Sequence, residues 1–165
     1  MNQEKLTDRS QGFIQAAQNL AVRKSNQFLM PEHLLKVMLD DKDGMASSLL
    51  AQTGADVSKI RREVDEDVDK LPRVEGSSVQ VSASQSFLKT LDLAEQLADK
   101  AKDSYVTVER LLQALLSVKS YGVDIHKLNA VINEMRGGRT AQSASAEDSF
   151  DALKKYATDY TERAL

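Results

Sequence analysis

Residues 17–39 read AQNLAVRKSNQFLMPEHLLKVML, and residues 94–116 read AEQLADKAKDSYVTVERLLQALL. Set 77 positions apart without a gap, they align Ala17, Leu20, Ala21, Phe28, Glu32, Leu34, Leu35, Met38 and Leu39 with Ala94, Leu97, Ala98, Tyr105, Glu109, Leu111, Leu112, Leu115 and Leu116. Self-similarity at a fixed offset marks a duplicated supersecondary unit. Within each copy the apolar residues recur three and four apart, which puts them on one face of a helix. Pro31 suits the first turn of the second helix, where its missing N–H has no partner to lose. The reading is an all-α fold of two pseudo-repeated helical units.

Working outward, Thr7 is placed to cap a first helix whose stripe is Phe13, Ala16, Ala17, Leu20 and Ala21. Gly44 and Gly54 bracket a third helix, and Val57, Ile60, Val64, Val68 and Leu71 carry a fourth to Pro72. Val57, Lys59, Ile60 and Val64 match Ile125, Lys127, Leu128 and Ile132 at an offset of 68, so the second copy has lost nine residues and its third helix is expected to be truncated. The predicted organisation is a first repeat over 1–72, a link over 73–83 and a second repeat over 84–138. A flexible linker over 139–149, small and polar, and a short helical tail over 150–165 follow. Arg136-Gly137-Gly138-Arg139 reads as a helix C-terminus with its glycine stop.

Composition removes most other classes. The 165 residues carry 22 Lys and Arg against 25 Asp and Glu, with no basic block longer than two, so a nucleic-acid backbone gains little here. No cysteine means no disulfide framework, thiol nucleophile or thiolate metal site. Of two histidines, His33 sits in the first turn of a helix and reads as a surface residue, and His126 supplies no convergent partner. No serine is framed by nucleophile-elbow glycines. Catalysis, cofactors and metals are not expected in these residues. Glu4, Lys5, Asp8 and Arg9 interrupt any signal-peptide core, and no apolar run approaches the ~20 residues of a membrane span, which predicts a soluble cytoplasmic product.

The helix expected from Ser84 to Lys102 gathers Phe87, Leu91, Ala94, Leu97, Ala98 and Ala101 on one face and leaves Leu88 and Leu93 off it. With the next helix these leucines are candidates to border an exposed apolar groove, the form a partner-binding surface takes.

The sequence resembles the N-terminal part of the ClpB-type protein disaggregases, members of the AAA+ Clp chaperone family. The resemblance rests on Pro31-Glu32-His33-Leu34-Leu35, Leu71-Pro72-Arg73-Val74-Glu75-Gly76, Met135-Arg136-Gly137-Gly138 and Ala152-Leu153-Lys154-Lys155-Tyr156, with Asp159-Tyr160-Thr161-Glu162-Arg163-Ala164. It implies a double Clp N-terminal domain that captures exposed apolar segments of unfolded or aggregated polypeptides. The threading motor would be hexameric, with ATP and magnesium bound in ATPase modules outside these residues, since no Walker A loop occurs here. The isolated segment is expected to be monomeric. Thr7, Asp103 and Glu109 match positions the family associates with substrate engagement, beside Leu88, Leu91, Leu93 and Leu97. Their structural readings are a helix cap, a loop residue between two helices and a first-turn acid that offsets the helix dipole. Docking of an adaptor and regulation of the ATPase are the alternative roles.

Overall fold

The computed structural model describes residues 3–41, 44–76 and 80–150. Seven α-helices form among them: α1 (Asp8–Arg23), α2 (Pro31–Asp40), α3 (Met45–Gln52), α4 (Val57–Asp69), α5 (Gln85–Lys100), α6 (Val108–Val118) and α7 (Ile125–Arg136). The starts of α1 and α5 and of α2 and α6 keep the 77-residue offset, and those of α4 and α7 keep 68. Local chemistry sets these boundaries. Thr7 Oγ1 accepts from the Ser10 N–H, Ser84 Oγ from the Phe87 N–H and Asp56 from the Lys59 N–H; Asp124 accepts from the His126 and Lys127 N–H groups. Each thereby satisfies backbone donors that the first turn cannot. Gly137 ends α7 at φ 56°, a left-handed conformation glycine adopts without a Cβ penalty.

The second repeat has no counterpart of α3: between α6 and α7 the chain makes a turn through Tyr121 and Gly122, so the helix expected to be truncated is absent. Two elements escaped the helical reading, β1 (Phe28–Leu29) and β2 (Ser82–Ala83), which pair in parallel. A single parallel bridge joins Leu6 to Val106. Under the 77-residue offset Leu6 corresponds to Ala83 and Val106 to Leu29, so the two pairings are the same interaction made reciprocally. The extended stretch before the second helix of each repeat pairs with the stretch entering the first helix of the other.

This exchange makes the repeats share one core. Leu34, Leu35, Met38, Leu39, Leu49 and Leu50 from the first and Leu111, Leu112, Leu116, Leu128 and Ile132 from the second belong to one buried cluster. Helix α6 is enclosed on all sides, every residue from Val108 to Leu116 being buried, including Glu109, Arg110 and Gln113. Its polar side chains therefore need partners inside the fold.

Residues 139–149 are not a flexible linker, and the folded part does not end at Gly138. Residues 141–150, hereafter the strap, pack back against both repeats. The Ala141 carbonyl accepts from Ser104 and Tyr105 N–H, the Ala144 carbonyl accepts from Asp8 N–H, and Ala141, Ala146, Glu147 and Phe150 are buried. A helical turn begins at Ala146. The strap lacks an apolar period because it is held by main-chain hydrogen bonds and by small residues, which leave no amphipathic stripe. The tail expected over 150–165 lies, beyond Phe150, outside the described residues.

Candidate functional site

The residues singled out on polar chemistry converge on one buried network. In the loop after α5, Asp103 Oδ1 accepts from Arg136 Nη1 at 2.9 Å and from the Ala141 N–H at 2.9 Å; Oδ2 accepts from Arg136 Nη2 at 2.8 Å and Arg110 Nε at 3.1 Å. Burial alone would raise the Asp103 pKa, but the Arg136 hydrogen bonds, with Ala141 and Arg110, outweigh it and hold the carboxyl below its ordinary value. Arg136 Nη2 also lies 3.0 Å from Thr107 Oγ1 and 3.4 Å from Glu109 Oε1. Burial pushes Glu109 up to about 7, opposed by Arg136 and Arg110 and reinforced by the charge of Glu147. Glu147 Oε2 accepts from Thr7 Oγ1 at 2.5 Å and from the Val108 N–H at 3.1 Å, joining the starts of α1 and α6.

This geometry corrects the substrate-contact expectation for Thr7, Asp103 and Glu109. All three are buried and their polar atoms face the network, so none is presented to a client in this conformation. Thr7 does cap α1, as its structural reading has it. Glu109 lies in the first turn of α6 but faces Arg136 rather than solvent.

The surface reading of His33 is likewise overturned. Its ring is buried, Nδ1 accepts from the Met30 N–H at 2.9 Å, and Nε2 meets Asn26 Oδ1 at 2.8 Å. Asn26 Nδ2 in turn donates to the Pro72 carbonyl at 3.1 Å. Burial lowers the histidine to about 4. The Met30 donor leaves Nδ1 as acceptor and Nε2 as the protonated nitrogen, so a second proton would face an N–H. Under the 77-residue offset Asn26 and His33 correspond to Asp103 and Arg110. The duplication thus keeps one tie between loop and helix, neutral in the first repeat and ionic in the second.

The four leucines of α5 do not form one groove. Leu91 is buried; Leu93 and Leu97 are half-buried against the core; Leu88 is 48% exposed. Nine residues apart, Leu88 and Leu97 are turned roughly 180° from each other about the helix axis. They flank the buried stripe on opposite sides. Leu91→Ser is expected to cost about 2–5 kcal/mol by emptying a core position, and Leu93→Ser less than half of that, which urea unfolding would resolve.

An accessible concave surface among the described residues lies elsewhere. A groove of about 430 Å³ opens between α1, the α2–α3 junction and the start of α6. Among the described residues, Phe13, Ala16, Met45 and Val108 give it apolar walls, and Arg9, Gly12, Asp41 and Gly44 also line it. A Cβ built on Gly12 would meet nothing within 4 Å. Glycine inside a helix sacrifices about 0.5–1 kcal/mol relative to alanine, and no close packing at Gly12 requires it. No motif in the sequence marks these residues as a site. The usable signal was a lone glycine inside a capped amphipathic helix. Among the described residues no group of three or more His, Cys, Asp or Glu is placed to hold a metal, and no helix is long and apolar enough to cross a membrane.

Residues 5–128 match the family model for the Clp repeat (R) N-terminal domain. The chain belongs to the Clp N-terminal domain family. Chaperone protein ClpB of Brucella suis biovar 1 (strain 1330) is 51% identical over 173 residues, covering 99% of this chain and 20% of the relative. Chaperone protein ClpB of Mesorhizobium japonicum is 48% identical over 98% of this chain. The chain thus spans about a fifth of the length of the curated relatives it matches. The Hsp104 N-terminal domain from Candida albicans superposes with a TM-score of 0.76 at 23% identity, covering 86% of this chain and 98% of that one. A ClpV N-domain in complex with a VipB peptide matches with a TM-score of 0.67 at 16% identity, over 85% and 91% of the two chains. The chain is a Clp chaperone N-terminal module with the double-repeat helical fold.

Proposed function

We propose that this Clp N-terminal domain recruits non-native polypeptide, seating an apolar segment in the groove between α1 and the α2–α3 junction for transfer to an ATP-driven motor carried on the same, longer protein. It contributes binding rather than catalysis. The observation that carries the reading is the groove itself, open and apolar-walled, with Gly12 in its lining at a position where an added Cβ would meet nothing within 4 Å. A ClpV N-domain of the same fold has been solved with a VipB peptide, which supports a peptide-binding role for the fold.

Binding by one such domain is weak. A segment burying roughly 400 Å² of apolar surface gains about 10 kcal/mol at ~25 cal/mol per Å², against association and ordering costs of about 4–15 kcal/mol. Six domains on one hexamer would recover affinity by multivalency.

Gly12→Trp in the 165-residue chain is expected to weaken binding of reduced, carboxymethylated α-lactalbumin by about tenfold without lowering the melting temperature. Gly12→Ala should instead stabilise the fold by about 0.5–1 kcal/mol. Amide shift perturbations on adding the probe should centre on residues 9–16 and 44–46. Perturbations confined to the exposed flanks of α5, or unchanged affinity in a folded Gly12→Trp variant, would sink the groove assignment. Binding only to a folded partner would favour adaptor docking.

A further inference from the structure

The strap shares two residues with the groove wall. Val108 lines the groove, and its N–H donates to Glu147 Oε2 at 3.1 Å; Arg9 lines it, and its Nη2 lies 2.6 Å from Asp148 Oδ1. The strap is also attached unlike the rest of the fold. Its apolar residues Ala141, Ala146 and Phe150 form a small cluster of their own, with Tyr105 and Met135 against it, and Met135 also packs on the main core. Phe150 is covered by the guanidinium groups of Arg136 and Arg139, at 4.6 and 4.7 Å from its ring centroid. Two buried carboxylate oxygens where the strap docks, Glu147 Oε1 and Glu109 Oε2, have no hydrogen-bond partner among the described residues. A buried acceptor without a donor opposes docking, because water would satisfy it on release. A small apolar contact set against such a penalty is the composition of a locally opening segment.

We propose that residues 141–150 are a detachable strap whose carboxylates, Glu147 and Asp148, hold Val108 and Arg9 in the groove wall, so that strap docking and polypeptide binding favour one another. The inference rests on the groove's proposed role. Glu147 carries most of the coupling, since it is buried and reaches the first residue of α6 and the cap of α1 together. The Arg9–Asp148 pair is solvent-exposed and adds little. Coupling of this kind is reciprocal: whatever factor docking gives to polypeptide affinity, bound polypeptide returns to docking.

Hydrogen exchange on the 165-residue chain tests it. In Glu147→Ala the amides of Asp8, Ser104 and Val108, which bond to the strap, should exchange about tenfold faster or more, while those of α2 are unchanged. The same variant should bind reduced, carboxymethylated α-lactalbumin about fivefold more weakly, and saturating the parent with that probe should slow exchange at Asp8 and Ser104 by the same factor. Asp148→Asn, at an exposed position, should fold as the parent and lose about twofold. It decides the matter, with the parent's exchange response, if Glu147→Ala does not fold. Strap amides that exchange no faster in Glu147→Ala would show that the strap is not detachable. Faster exchange with undiminished affinity would overturn the coupling and leave the groove reading standing. A parent that does not bind the probe at all would remove both.

Discussion

Arg136→Met is expected to destabilise the domain by about 3–5 kcal/mol at pH 7, the cost of leaving buried charge without its partner. Arg136 sits at the end of α7 with its side chain buried, and it is shared by Asp103, Glu109 and Thr107. Methionine fills much of the same volume but returns no donor. Asp103 keeps Arg110 and the Ala141 N–H; Glu109 loses its ion-pair partner and still faces Glu147. Removing that second charge should therefore restore part of the loss. The double variant Arg136→Met with Glu109→Gln is expected to be at least about 1 kcal/mol more stable than the sum of the single effects. Urea unfolding of the four proteins measures the cycle. A loss below about 1 kcal/mol in Arg136→Met, or strict additivity, would mean that the network contributes no more than a surface ion pair.

The frame in which Arg136 acts was legible in the sequence. The 77- and 68-residue offsets gave the correspondence of helices, and Thr7, Pro31 and Gly137 gave boundaries the structure keeps, because caps and stripes are short-range chemistry written in adjacent residues. The reciprocal pairing of β1 with β2 and of Leu6 with Val106 was not legible. Two-residue strands have no period to detect, and their partners come from the other repeat. The strap was misread for a related reason. Alanines and main-chain hydrogen bonds carry no amphipathic signature, and Glu147 looks like a solvated acid until its partners at Thr7 and Val108 are known. His33 and Glu109 went astray together. Each lies in the first turn of a helix, where a polar residue is ordinarily exposed, and both are buried among partners distant in sequence, Asn26 with Pro72 for His33 and Arg136 with the strap for Glu109. The offset that aligned the helices also pairs Asn26–His33 with Asp103–Arg110. Carried through the polar positions as well as the apolar ones, it links these four residues by sequence correspondence alone.

The same two buried groups predict a pH response that the parent chain conceals. His33 has an ordinary value of 6.5 and is lowered to about 4 in the fold, by burial first. Its contribution is fully present above about 6.5 and is lost as pH falls towards 4, because the unfolded chain takes up a proton that the folded chain refuses. Glu109 has an ordinary value of 4.5 and is raised to about 7, again by burial first. Its contribution is fully present below about 4.5 and is lost as pH rises towards 7, because the unfolded chain releases a proton that the folded chain retains. Each shift is worth about 3 kcal/mol at about 1.4 kcal/mol per unit, and the slopes oppose one another between about 4.5 and 6.5. The two therefore cancel in the parent, and either substitution should uncover the other. Glu109→Gln is expected to lose up to about 3 kcal/mol on acidification from pH 6.5 to 4 relative to the parent. His33→Gln should lose a similar amount on the rise from pH 4.5 to 7. Asp67 and Asp103, held below their ordinary values, weaken all three proteins in stronger acid. That background falls out when each variant's unfolding free energy is subtracted from the parent's at the same pH. Difference curves of opposite slope are the expected result; curves flat across pH 4–7 would show that neither group titrates differently on folding.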